Sequence, residues 1–130
     1  MDLILDTNFV IAAEREAKRG LRGAADAFLA GHGGDTFFIT FTVAGELACG
    51  ESASPIADWK RICRPYAILP WTLDVSWEYG ELYRHLANAG TMIGTNDLWI
   101  AATAIVHGAP VVTNNAGEFG RVPGLVVMGF

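Results

Sequence analysis

The sequence predicts an α/β fold in which helices sandwich a central, mainly parallel sheet of four to five strands. Residues 2–6, 36–40, 67–70, 110–113 and 125–128 are short β-type runs, and helical stretches separate most of them, the alternation that builds parallel sheets. The runs "LIL", "FFI" and "PVV" are apolar throughout, as strands covered on both faces must be. Gly20, Gly90 and Gly108 supply helix stops between them.

The first strand ends on an acid: "LILDTNFV", residues 3 to 10, carries three aliphatic side chains straight into Asp6. Ligands of open parallel sheets gather beyond the carboxyl ends of the strands, near the point where strand order reverses. The apolar run is thus a central support, and Asp6 is what it presents. "DTNFVIAAEREAKRG" then opens with cap-type residues and closes on Gly20. After the strand at 36–40, Thr42 is the expected cap of a helix that carries Glu46 about one turn in. Gly50 to Ser54 reads as a loop. In "SPIADWKRIC", Ser54 is expected as N-cap and Pro55 at the first helical position, where its missing N–H costs little. Val75, Tyr79, Leu82, Leu86 and Ala89 follow 4-3-4-3 spacing, an amphipathic helix stopped by Gly90. "TNDLWIAATAIVHG" begins at Thr95 as cap and ends on Gly108, and "APVVT" supplies the next strand. No repeat or linker divides the chain, so residues 1–130 are expected to form a single domain.

Composition narrows the function classes. Apolar residues at 52% and charged ones at 18% exclude a disordered chain. No apolar run approaches the ~20 residues of a membrane span, and the first residues enter a strand with no secretory pattern, so a cytoplasmic protein is expected. Cys49 and Cys63 form neither C-x-x-C nor a cluster with His32, His85 or His107, which argues against redox, zinc and disulfide roles. Core packing is expected for each of Trp59, Trp71, Trp77 and Trp99. The net charge of −5 opposes nucleic-acid binding over the whole surface. Seven of the nine basic residues nevertheless fall in two stretches, Arg15, Lys18, Arg19 and Arg22, then Lys60, Arg61 and Arg64.

Thr113 closes the fourth strand as Asp6 closes the first, with Asn114 and Asn115 following. Asp97 falls in the first turn of its helix, where the macrodipole favours negative charge. Asp6, Glu46, Asp97 and Asn115 are therefore expected to converge from four distant segments. Each alone is a cap, a polar helix residue or a turn former; together they are a site. Two carboxylates about 4 Å apart repel by roughly 4 kcal/mol at an effective dielectric near 20, so a cluster calls for a proton or a cation. All-oxygen ligation suits Mg²⁺ or Mn²⁺ better than zinc, and such sites carry phosphodiester chemistry.

At this point the sequence resembles the PIN-domain ribonucleases, and among them the small VapC toxins of prokaryotic toxin–antitoxin pairs. "LILDTNFVI", "ITFTVAGELACG", "IGTNDLWIAATAIVHGAPVVTNN" and "EFGRVPGLVVMGF" carry the likeness, in that order and over nearly the whole chain. The resemblance implies a PIN-domain α/β/α sandwich. It also implies an acidic pocket that holds Mg²⁺ or Mn²⁺ for endonucleolytic cleavage of single-stranded or looped RNA, such as tRNA or another structured RNA. Asp6, Glu46 and Asp97 match the family's acidic positions, as catalytic residues and metal ligands. The fourth position, often Asp and in some members Asn, falls on Asn115, with Glu118 three residues beyond. An amide adds no charge and cannot act as a base near neutral pH, so one ion is expected to be held tightly and a second to arrive with the RNA phosphate. Thr7, Asn8, Thr113 and Glu118 are expected to orient the ligands by hydrogen bonds, and Arg15, Lys18 and Arg19 to contact the RNA backbone. The implied partners are a VapB-type antitoxin, whose tail occupies a groove and covers the acids, and a second copy of the chain in a homodimer.

Two other readings share parts of this pattern. A non-catalytic PIN-like module would bind RNA or protein without cutting, and loss of acids would favour it. Haloacid-dehalogenase-type phosphatases also place an aspartate after their first strand, but with a second acid two residues on, where this chain has Asn8.

Overall fold

The computed structural model describes residues 1–130 apart from the Ser52 side chain. Its strands β1 (Asp2–Leu5), β2 (Thr36–Thr40), β3 (Ala67–Leu69), β4 (Val111–Val112) and β5 (Val127–Met128) form one sheet in the order β3-β2-β1-β4-β5. Every neighbouring pair is parallel. The helices are α1 (Thr7–Arg19), α2 (Ala24–Gly31), α3 (Phe41–Ala48), α4 (Ile56–Cys63), α5 (Leu73–Ala89), α6 (Thr95–His107) and α7 (Ala116–Phe119), with a 3₁₀ turn at Glu51–Ala53. Among the described residues no helix is long and apolar enough to cross a membrane.

β1 takes the centre because Leu3, Ile4 and Leu5 are fully buried, the environment a run without polar side chains needs. From β1 the chain steps outward to β2 and β3, and α5 and α6 then bring it back across to β4. Strand order therefore reverses between β1 and β4, where Leu5 pairs with Val112. The next residues, Asp6 and Thr113, are placed side by side by that register, and the Asp6 N–H donates to the Val112 carbonyl at 3.0 Å. α6 is buried along Leu98 and Ile100–Ala104; its alanines let it lie close to its neighbours. α5 buries Val75, Leu82 and Leu86, while Tyr79 stacks on Trp99 at 3.9 Å. Ala89, the last residue of α5, is exposed.

Several local expectations shift by a residue or two. Thr40, not Thr42, caps α3, its hydroxyl accepting from the Val43 N–H at 3.2 Å. The Thr42 hydroxyl is buried and has no partner among the described residues. Gly94 rather than Thr95 is the N-cap of α6, and Pro55 rather than Ser54 that of α4. Only Trp59 and Trp99 pack against the core; Trp71 and Trp77 are 50% and 67% exposed. The Trp71 ring N–H finds the Ser76 hydroxyl at 2.7 Å instead, and Arg84 lies over the Trp77 ring.

α2 and α7 lack sequence cues of their own. Gly23, the N-cap of α2, has no side chain to offer. Glu16 of α1 caps it from a distance, accepting from the N–H groups of Gly23, Ala25 and Asp26 at 2.9, 3.2 and 2.9 Å. A Cβ on Gly23 would stand 2.7 Å from the Glu16 carboxyl carbon, so glycine is what admits the carboxylate. These bonds, that from Asp26 foremost, hold the Glu16 carboxyl below its usual value. A lowered folded-state value means the cap is complete above the ordinary 4.5 and is lost as pH falls through the folded value. In Glu16→Ala, the amide protection factors of Gly23, Ala25 and Asp26 at neutral pH are expected to fall to those of wild type in acid. Unchanged exchange would remove Glu16 as the cap.

Candidate functional site

Asp6 stands one residue past β1, 5% exposed, in the extended conformation of an N-cap. Its Oδ1 accepts from the Thr7 N–H at 2.8 Å and its Oδ2 from the Thr113 hydroxyl at 2.7 Å. The same hydroxyl accepts from the Asn115 N–H at 2.8 Å and from Asn8 Nδ2 at 3.3 Å. One donor and two acceptor positions are all that a hydroxyl has. Thr113 is thereby saturated, and its proton points at Asp6. Asn8 closes the ring through its Oδ1, which accepts from the Asn114 N–H at 3.4 Å.

Glu46 projects from α3, and the Thr7 hydroxyl donates to its Oε1 at 2.9 Å. Asp97 lies in the first turn of α6. Asn115 links it to Glu118 of α7: the Asn115 amide nitrogen donates to Asp97 Oδ2 and to Glu118 Oε2, both at 3.0 Å. Carboxylates only accept, so the NH₂ side of Asn115 is the side that faces them. That orientation differs from the expected use of its carbonyl toward an ion. Glu118, expected only to support, is in hydrogen-bond contact with Asp97 as well. The pocket therefore gathers four carboxylates rather than three. A helical turn at Ala116–Phe119 would have signalled this by its i, i+3 spacing from Asn115, but the four-residue turn is too short to read from periodicity.

The electrostatics follow from burial and crowding. Asp97 is pushed up to about 7, first by burial, then by its hydrogen bond with Glu118 and by the charges of Asp6, Glu118 and Glu46. Burial also raises Asp6, against the opposing bonds from Thr113 and the Thr7 N–H. Glu118, at the rim, is lowered by its bonds to Asp97 and Asn115, with Arg121 helping. The two shifts run in opposite directions, so a proton entering the Asp97–Glu118 pair favours Asp97, the more buried partner. Among the described residues no three His, Cys, Asp or Glu side chains are grouped closely enough to hold an ion as they stand. Asp97 feels the charges of the other three acids, while Thr7, Thr113 and Asn115 occupy oxygens of the four.

Beside Glu46 opens a groove of about 340 Å³. Val10, Ile11 and Leu47 form apolar parts of its lining, and Arg15, Lys18 and Arg19 line it too. Glu14 pairs with Lys18 at 3.7 Å and with Arg61 of α4 at 3.0 Å. Arg22 is not part of this lining.

The PIN-domain family model matches residues 3–125. Ribonuclease VapC1 of Rickettsia felis is 31% identical over 98% of this chain and 96% of its own length. Ribonuclease VapC2 of the same organism is 43% identical over 72% of this chain and 73% of its own. The crystal structure of VapBC2 from Rickettsia felis, bound to a DNA fragment from its promoter, includes a chain that superposes with a TM-score of 0.81 at 29% identity, covering 100% of this chain and 99% of that one.

A raised carboxyl stabilises the fold below its ordinary value and ceases to do so as pH rises through the folded value. Without divalent ions, thermal stability is therefore expected to fall as pH climbs from 3.8 through about 7. Asp97→Asn should flatten that fall in melting curves. An identical pH profile in the variant would show that Asp97 is not the raised group.

Proposed function

The chain belongs to the PIN-domain family and, within it, to the VapC ribonucleases, and from that premise we propose that it is a Mg²⁺- or Mn²⁺-dependent endoribonuclease toxin. The observation that carries the reading is the gathering of Asp6, Glu46, Asp97 and Glu118 at one rim of the sheet, tied there by Thr7, Thr113 and Asn115, with Asp97 raised by burial and by the neighbouring acids. A hard divalent cation would relieve the repulsion among them. The donor set fits such an ion in chemistry, since every charged group in it is an oxygen ligand. Asp6, Glu46 and Asp97 would hold it, with Glu118 rather than Asn115 as the fourth acid, because Glu118 brings the charge that the amide lacks. When bound, the metal supplies Lewis-acid activation of the attacking water and compensation of charge at the phosphoryl group.

The chain's own residues do the rest. Thr113 aims Asp6, Thr7 steadies Glu46, and Asn115 sets the spacing of Asp97 and Glu118. Each bond reduces the reorganisation needed at the reacting phosphate. Arg15, Lys18 and Arg19 lead a single-stranded or looped RNA along the groove to Glu46. The apolar part of that groove suits the tail of a VapB-type antitoxin, which would displace RNA by covering the same acids; the VapBC2 complex of Rickettsia felis supports such a partner. We place the protein in the cytoplasm, acting as a homodimer. The pocket with all its acids in place does not favour a non-catalytic module, and Asn8, engaged with Thr113, does not favour a phosphatase.

Two outcomes test the reading. Asp97→Asn is expected to fold as wild type and to lose RNA cleavage by about 10²-fold or more, the scale of one lost transition-state group; EDTA should abolish cleavage by wild type. Full cleavage in either case would overturn the assignment. Replacing Arg15, Lys18 and Arg19 together by Ala should flatten the salt dependence of RNA binding by ~0.7 for each phosphate that is no longer neutralised, and an unchanged slope would place them outside the RNA path.

A further inference from the structure

Resting on the ribonuclease reading, we infer that Arg121 is a second phosphate-binding residue, which takes the RNA strand on the β4 side of the acid pocket while the α1 groove takes it on the β2 side. Seven of the nine basic residues lie on α1, on α4 or just beyond them. Of the other two, Arg84 is paired with Glu81 at 2.9 Å and lies over Trp77. Arg121 follows α7, the helix that carries Glu118, and its backbone N–H donates to the Glu118 carbonyl at 3.0 Å. The chain enters α7 from β4 and leaves it for β5, and β4 and β5 flank β1 opposite β2 and β3. Arg121 thus lies across the Asp6 strand from Glu46 and the groove.

Its guanidinium is anchored but not consumed. Arg121 Nη1 donates to the Met92 carbonyl at 3.1 Å, in the loop that leads into α6 and Asp97. Lys18, Arg61 and Arg84 have carboxylate partners, whereas no ion pair among the described residues includes Arg121. A guanidinium carries five N–H donors, so one bond to a carbonyl leaves the others to an exposed side chain's surroundings. Its backbone bonds Glu118 and its guanidinium bonds the loop before α6, so its charge stands beside a pocket whose ionisable groups, Asp6, Glu46, Asp97 and Glu118, are all acids. A strand led past such a pocket is repelled there, and a cation on the groove side alone would hold only one end of the cleaved linkage. A guanidinium held by a carbonyl is preorganised for paired contacts to phosphate oxygens.

The test separates binding from cutting. In the Asp97→Asn chain with Mg²⁺ present, affinity for a short single-stranded oligouridylate is measured against salt. Adding Arg121→Gln is expected to flatten the slope of log K against log salt by ~0.7, one single-strand phosphate, and Arg121→Lys should restore it. A slope unchanged by Arg121→Gln, in a chain that melts like its parent, would overturn the inference and leave the ribonuclease reading standing. If Arg121→Gln does not fold, the NMR signal of the Arg121 Nε–H decides: it should shift as oligouridylate is titrated into the Asp97→Asn chain, and an unmoved signal overturns the assignment. A parent chain that binds no oligouridylate would overturn the ribonuclease reading and this inference together.

Discussion

Mutual repulsion among carboxylates is the constraint around which this fold is arranged. Four acids placed freely on a surface would drift apart, because separating them lowers their energy at no structural cost. Here the backbone forbids it. Asp6 is tied to the end of a strand buried on both faces, Asp97 to the first turn of a buried helix, and Glu46 and Glu118 to the helices that follow β2 and β4. The reversal of strand order between β1 and β4 then brings these ends to one rim. Burial of Leu3, Ile4, Leu5, Val111 and Val112 supplies the favourable free energy against which the crowding is held.

The same constraint explains the hydroxyl and amide groups around the acids. A carboxylate that is partly desolvated and short of a cation needs donors, and each acid has one from a neighbouring segment: Thr113 for Asp6, Thr7 for Glu46, Asn115 for Asp97 and Glu118. Every one of these bonds crosses between elements or spans a turn at the rim. They are local in energy and global in effect, because they register α1, α3, α6 and α7 against the strand ends. Net charge and nucleic-acid binding are reconciled in similar fashion. The total of −5 reports the acids, whereas binding depends on where the cations stand, and seven of them are gathered on or just beyond α1 and α4.

Much of this was legible in the sequence, and the limits have physical causes. Apolar runs without alternation specified a doubly covered parallel sheet, and the acid at the end of the first of them marked the rim where the acids gather. Asp97 and Glu46 were readable because each sits in a long enough helix for its position in the turn to be counted. Capping residues were misplaced by one or two positions at Thr42, Ser54 and Thr95, since several adjacent residues can cap and only backbone geometry chooses among them. α2 escaped notice because its cap comes from Glu16, seven residues before Gly23. The exposure of Trp71 and Trp77 was likewise invisible: spacing places them on α5 or at its start, but says nothing of whether another layer covers that face.

Asn115 shows most clearly how composition at a single position depends on the rest of the pocket. An aspartate there would bring a fifth carboxylate up to Asp97 and Glu118, and would remove the amide donor that now bridges them. The amide does the reverse. It adds no charge, it donates to both acids at 3.0 Å, and its own N–H is held by Thr113 at 2.8 Å, so that the Asp6 end and the Asp97 end of the pocket are joined through one residue. With Glu118 supplying charge from the next turn, the pocket holds four carboxylates and no fifth. The position that looked deficient in the sequence is the link that brings a carboxylate three residues later up to Asp97.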